Sequence, residues 1–216
     1  MTGATLLVIA KAPVAGRVKT RLCPPCTPEQ AASIARAAIE DTLAAVGQVA
    51  AERRVVVLDG EPGPWLPDGF DVIPQCAGSL DRRLAAAFEG VDGPAFLVGM
   101  DTPQLTPGHI ATALDVLFRT DVDAVLGPAE DGGWWGIGLR VPQPEVFRDV
   151  PMSTNQTVSF QLRRMRFLAL RTCVLDLLVD VDTFADARAV AAMIPDSRFA
   201  DAVRSVGAVE SPERVR

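Results

Sequence analysis

Histidine is almost absent from this sequence: His109 is the only one in 216 residues. A His-rich zinc site and a His–carboxylate iron triad are thereby excluded. A Ser-His-Asp triad would have to be built on His109 alone. Cysteine is scarce as well. Four cysteines do not form a disulfide framework, so reduced thiols and a cytoplasmic location are expected. Cys23 and Cys26 have ligand spacing, but Cys76 and Cys173 are isolated, so the 23–26 segment reads as a turn and not as zinc. No apolar run approaches the length of a membrane span. Residues 4–10 are apolar, yet no basic segment precedes them and Pro13 follows the only small-x-small site, so no signal peptide is expected. Neither Gly-x-x-x-x-Gly-Lys nor Gly-x-Gly-x-x-Gly occurs, which removes the main support for a P-loop ATPase or a dinucleotide-binding domain.

What remains for chemistry is carboxylate, lysine and arginine, which suit metal ions and phosphates. The chain carries 27 acidic and 21 basic residues, a net charge of −6, which argues against general nucleic-acid binding. Its length supports one domain, expected over 1–206, followed by a loose tail over 207–216. The pattern implies no particular oligomeric state.

Short β-branched runs alternate with longer alanine-rich stretches. Strands are expected at 5–10, 53–58, 71–75, 95–100, 123–128, 134–139 and 171–178. Helical periodicity marks 28–47, 79–90, 107–118, 155–169 and 184–194. Thr27 followed by Pro28 is a helix start, and the Gly- and Pro-rich segment 60–69 is a loop. The rhythm predicts an α/β fold whose mostly parallel sheet is covered on both faces.

The first strand runs into KAPVAGRVKTRL (11–22), with Lys11, Arg17, Lys19 and Arg21. No acidic residue occurs in 1–28, where an even spread of 27 acids over 216 residues would place about three or four. A cationic loop at the carboxyl end of a first strand, with Gly16 allowing close backbone approach, fits phosphate binding. The alternative is a solvated basic loop.

Asp101 ends the fourth strand before Pro103, and Asp180 and Asp182 follow the last strand. Carboxylates from distant strand ends would hold one Mg²⁺ or Mn²⁺ against nucleotide phosphates. The competing reading makes the Asp or Thr of each segment a helix N-cap, and capping and ligation can coexist on one loop. Glu130 and Asp131 lie on a glycine-rich turn, either a hairpin with surface acids or a second carboxylate cluster facing an acceptor. Trp134 and Trp135 alternate across a strand, one for the core and one for a pocket wall. Gly78 and Ser79 open a helix and offer backbone groups to a base edge, whereas Arg82 and Arg83 suit a helix surface. His109 reads as a surface residue in the first turn of a helix.

Four segments together, AKAPVAGRVKTRL (10–22), GMDTPQL (99–105), GPAEDGGWWGIGL (127–139) and DVDTFADA (180–187), resemble the rSAM/selenodomain-associated, or glycosyltransferase-A-like, transferases. Those belong to the nucleotide-diphospho-sugar transferase superfamily, and the loop ending in KTRL is similar to phospholactate and molybdenum-cofactor guanylyltransferases. The resemblance covers about residues 5–195 and implies a single Rossmann-like GT-A domain. It implies that Lys11, Gly16, Arg17, Lys19 and Arg21 hold nucleotide phosphates, with Gln75, Gly78 and Ser79 near the base. Asp101 would stand at the metal position, completed by Asp180 or Asp182, while Glu130 and Asp131 face the acceptor. The segment from Pro151 to Thr154 also matches the family. The family usually has tyrosines where Trp134 and Trp135 stand, and Asp81 replaces a common glycine.

The expected activity is metal-dependent nucleotidyl transfer from a nucleoside triphosphate to a small phosphorylated acceptor, with Lys19 and Arg17 stabilising charge on the transferring group. Glycosyl transfer from a nucleotide-sugar is the alternative, with Asp131 or Glu130 as general base. A non-catalytic nucleotide-binding protein is the third reading.

Overall fold

In the computed structural model, which describes residues 3–208, each expected strand and helix forms. In chain order the elements are β1 (Thr5–Lys11), α1 (Pro28–Gly47), β2 (Arg53–Asp59), β3 (Asp71–Pro74), α2 (Leu80–Phe88) and β4 (Ala95–Gly99). There follow α3 (Pro107–Leu117), β5 (Ala124–Pro128), β6 (Trp134–Leu139), α4 (Thr157–Phe167), β7 (Thr172–Val174), α5 (Phe184–Met193) and α6 (Arg198–Ala208). Short 3₁₀ turns lie at Thr20–Leu22 and Pro144–Val146.

The seven strands form one sheet in the order β3-β2-β1-β4-β6-β5-β7. β6 runs antiparallel to β4 and β5, and the other neighbouring pairs are parallel. The mostly parallel α/β sheet inferred from the sequence is therefore present. Alternate side chains face opposite layers. Leu6, Val8, Val56 and Val98 pack with α1 and α3, while Leu7, Val55, Val57 and Leu97 pack with Leu84 and Phe88 of α2 and Met165 of α4. A third cluster joins α1, α5 and α6 through Ile34, Val190, Phe199 and Val203. From β1 the chain passes to β2 and β3 on one side, then returns to β4 on the other. The connections diverge at the carboxyl ends of β1 and β4, where open α/β sheets bind ligands.

Two segments differ from expectation. The strand expected over 171–178 narrows to Thr172–Val174: the ladder is interrupted where the carbonyl of Asp176 accepts the indole N–H of Trp135 at 3.0 Å, and it resumes at Leu178, whose N–H donates to the carbonyl of Pro128 at 3.1 Å. Helix α6 is absent from the expected elements, although Phe199, Val203 and Val206 repeat at helical spacing and are buried. Of the tail expected over 207–216, Gly207 and Ala208 belong to α6, and 209–216 lie outside the described residues. No helix among the described residues is long and apolar enough to cross a membrane.

Candidate active site

A cleft of about 510 Å³ opens where β1 and β4 end. One side is the cationic loop. After β1 the chain turns through Arg17 into a left-handed residue, Lys19 (φ 48°), and then the 3₁₀ turn at Thr20–Leu22. That conformation aims Lys19 inward: its ammonium pairs with Asp101 at 2.5 Å and donates to the carbonyl of Val181. Arg21 pairs with Asp182 at 2.5 Å, and Lys11 lies 3.7 Å from Asp59.

Facing the loop is an acidic ledge made from two chain segments. The N–H of Val181 donates to the carbonyl of Asp101 at 2.9 Å, and the amide of Gln104 donates to the carbonyl of Val179 at 2.7 Å. These bonds bring Asp101, Asp180 and Asp182 to one rim. The capping alternative holds for Thr183 of the 180–183 segment, and not for Asp101, Asp180 or Asp182. α3 is capped by Thr106, boxed with His109, and α5 by Thr183, boxed with Asp186. His109 thus serves as a helix-capping acceptor, half-buried in its turn.

Burial pushes the Asp180 carboxyl up to about 7, and the Asp101 charge adds to the rise. Lys19 opposes that shift, whereas Asp131 and Asp182 reinforce it. Asp180 is thus the one ledge carboxyl held out of water without a paired cation of its own among the described residues. Among the described residues no three His, Cys, Asp or Glu side chains converge closely enough to enclose a metal ion by themselves. This donor set fits a divalent cation that takes one or two protein carboxylates and completes its shell with water and phosphate.

The turn between β5 and β6 carries the second acidic pair. Asp131 lines the cleft, and its carboxylate accepts the Gly133 N–H at 2.8 Å. Glu130 is exposed and points elsewhere: it does not line the cleft. Gly132 adopts φ +87°, and a Cβ there would sit 2.1 Å from the carbonyl oxygen of Asn155. Only glycine satisfies both demands. The N–H of Val158 donates to the carbonyl of Gly132 at 2.9 Å, so the acidic turn is fixed against the start of α4. Trp135 is buried in the core and Trp134 is half-exposed, the division that their alternation predicts; both reach the cleft.

Gln75 lines the cleft, but its amide N–H groups donate to the carbonyls of Ala10 and Val57 at 2.8 and 3.0 Å, and its oxygen accepts from Arg83 at 2.9 Å. Its side chain holds the wall together. Of the predicted residues, Lys11, Lys19, Arg21, Gln75, Asp101, Asp131, Asp180 and Asp182 come together, whereas Gly16, Arg17, Gly78, Ser79 and Glu130 lie outside the lining. Two contributions carry no assigned role in the sequence. Arg83 braces Gln75 from α2, and Met152–Asn155 forms the far wall. The Pro151–Thr154 match to the family is the only signal for the latter. Cys23 and Cys26 lie on a tight turn, in which the Cys26 N–H donates to the carbonyl of Leu22 at 3.1 Å.

The sheet and its crevice define the fold of the nucleotide-diphospho-sugar transferases. A proposed nucleotide-diphospho-sugar transferase from Desulfovibrio desulfuricans G20 superposes with a TM-score of 0.86 at 25% identity, over 97% of each chain. A CMP:2-keto-3-deoxy-manno-octonic acid synthetase complexed with CTP gives 0.57 at 16% identity, covering 90% of this chain and 99% of that one. Rv0371c from Mycobacterium tuberculosis H37Rv in complex with manganese gives 0.51 at 22% identity, covering 88% and 97%. Within this fold the chain belongs to the family described as "Uncharacterized protein conserved in bacteria (DUF2064)", whose model matches residues 30–154. No curated protein matches the sequence.

Proposed function

We propose that this protein is a metal-dependent transferase that uses a nucleotide, and that it moves a nucleotidyl group from a nucleoside triphosphate to a small phosphorylated acceptor. The observation that carries this reading is the meeting of the cationic loop with the acidic ledge, Lys19 on Asp101, inside a cleft large enough for a nucleotide. The relative complexed with CTP and the relative complexed with manganese share the fold and support the choice of ligands.

In this reading Lys11, Lys19 and Arg21 hold the triphosphate, while Arg17 approaches from the loop's exposed turn. Asp101 and Asp180 would hold the divalent cation, with Asp182 beside them. A cation bound there supplies neutralisation of charge on the phosphate oxygens. An acceptor phosphate oxygen attacks the α-phosphorus, the bond from that phosphorus to the bridging oxygen breaks, and pyrophosphate leaves. The protein contributes alignment and fixed positive charge, the main sources of rate in phosphoryl chemistry. Gly78 and Ser79 remain candidates for base contact from the start of α2.

Glycosyl transfer is the second reading, favoured by the similarity to the Desulfovibrio protein. In it Asp131, exposed at the cleft and without a cationic partner among the described residues, serves as general base towards an acceptor hydroxyl.

Thermal melts with the four nucleoside triphosphates, their diphosphates and several nucleotide-sugars, each with Mg²⁺, Mn²⁺ or EDTA, separate these readings. A ligand at a hundred times its Kd adds about 2.7 kcal/mol. Metal-dependent stabilisation by one triphosphate supports nucleotidyl transfer. Stabilisation by nucleotide-sugars alone moves the assignment to glycosyl transfer, and no response from any ligand contradicts both.

A further inference from the structure

The acidic ledge already has a cation. Lys19 is an enclosed charge of the cleft, with 9% of its side chain exposed against 44% for its partner Asp101. Its ammonium touches Asp101 and the carbonyl of Val181, the residue between Asp180 and Asp182. Arg21, on the same loop, covers Asp182. Two of the three carboxylates proposed as metal ligands are thus occupied by side chains of the loop proposed to bind phosphate.

We propose that Lys19 is a built-in counter-cation that stands in for the metal ion in the free protein, so that metal and polyphosphate bind together and each is weak alone. The proposal rests on the metal–nucleotide reading of the cleft. Two like charges cannot share Asp101 in a partly buried rim without strong repulsion. A metal ion approaching the free protein must displace the ammonium, which then has no partner for its buried charge. A polyphosphate approaching without metal finds Lys19 and Arg21 already paired with Asp101 and Asp182, and must leave those carboxylates unpaired to engage them. When both arrive, the ammonium transfers from Asp101 to a phosphate oxygen while the metal takes the carboxylates. Every charge then has an opposite neighbour. By linkage, whatever polyphosphate adds to metal affinity, metal adds equally to polyphosphate affinity.

Mn²⁺ binding tests this through water-proton relaxation, which distinguishes protein-bound metal from free metal or metal on polyphosphate. The wild-type protein, Lys19→Met and Asp101→Asn are titrated with Mn²⁺ alone and with Mn²⁺ plus inorganic tripolyphosphate. Lys19→Met is expected to bind Mn²⁺ alone at least tenfold more tightly than wild type, and to lose most of the tightening that tripolyphosphate gives wild type. Lys19→Gln, which keeps a donor for the Val181 carbonyl, stands in if the methionine variant does not fold. Arg21→Ala, whose side chain is 75% exposed, is expected to shift Mn²⁺ affinity in the same direction by about threefold or less. If Lys19→Met and Lys19→Gln bind Mn²⁺ no more tightly than wild type while Asp101→Asn loses the ternary complex, the counter-cation role fails and the metal site stands. If Asp101→Asn binds Mn²⁺ and tripolyphosphate as wild type does, the metal reading fails, and this proposal with it.

Discussion

The two acidic edges of the cleft are built by opposite means. The ledge of Asp101, Asp180 and Asp182 is an electrostatic assembly: Lys19 and Arg21 reach across from another loop to engage it, and Asp180 is left with its carboxyl pushed up to about 7. The Glu130–Asp131 turn is a backbone assembly. No cation pairs with it among the described residues, and its shape is set by Gly132 against Asn155 and by the bond from Val158. The first edge is therefore poised to respond to charge brought by a ligand. The second is poised to hold a group at a fixed place. Such a division suits a site where one edge binds phosphates and the other positions an acceptor.

Breaking the rigid edge should have the largest effect. Gly132→Ala places a side chain at positive φ and 2.1 Å from a backbone oxygen, and we expect it to destabilise the fold by about 2–5 kcal/mol. Differential scanning calorimetry would show this as a Tm lower by roughly 5–15 °C. A smaller drop would mean that the turn is not rigid.

Next comes the electrostatic edge. Asp101→Asn should lower turnover by about a hundredfold or more, the scale of losing one charge-stabilising group at a reacting centre. Its melting temperature should fall as well, because the Lys19 ammonium, whose side chain is 9% exposed, loses its charged partner. Steady-state kinetics on the substrate pair found by the melts would check it, and an unaltered kcat/KM would remove Asp101 from the site.

Asp180 sharpens the contrast through pH. Because its carboxyl is raised, the native state holds a proton that the unfolded state has already released between about pH 4 and 7. The unfolded state binds fewer protons there, so this group's contribution to stability falls as pH rises through that window and stays lost above it. Asp180→Asn should accordingly melt about 2–4 °C higher than wild type at pH 8, with a smaller gap at pH 5. Equal gaps at both pH values would show that burial does not raise the Asp180 carboxyl.

The smallest effect belongs to Glu130→Gln. Glu130 is exposed and outside the cleft lining, so stability should stay within about 0.5 kcal/mol of wild type and turnover within about twofold. A large loss of turnover would bring Glu130 back beside Asp131 as an acceptor-facing group.

The electrostatic edge is the more legible in sequence. Lys19, Asp101, Asp180 and Asp182 are charged residues at strand ends or in the loops after them, and the parallel topology gathers strand ends at one rim. Composition helps, because the absence of acids from the first 28 residues is enough to single out the loop. The caps are harder to place. Asp101 and Asp182 precede helices and look like N-caps, yet the threonines one to five positions later perform that task. The rigid edge is less legible. The demand on Gly132 comes from Asn155, a contact that follows from how α4 packs and not from any local pattern. Arg83 lies on an amphipathic helix, where spacing alone suggests a solvated face, and its bond to Gln75 exists only because α2 docks over β2 and β3. Helix α6 is legible in principle: Phe199, Val203 and Val206 repeat at helical spacing, and Ser197 caps its start by accepting the Ala200 N–H at 3.0 Å.

Joint occupation of this cleft by a nucleotide and a metal ion can be read from the protein itself. Trp134 and Trp135 line the cleft, so intrinsic fluorescence reports binding there directly. The measurement is a titration with each nucleoside triphosphate in the presence of Mg²⁺ and again in EDTA, on wild type and on Asp101→Asn. We expect a saturable change for at least one triphosphate, at least tenfold tighter with Mg²⁺ in wild type and metal-independent in the variant. Binding equally tight with and without metal, or no change with any triphosphate, would contradict it.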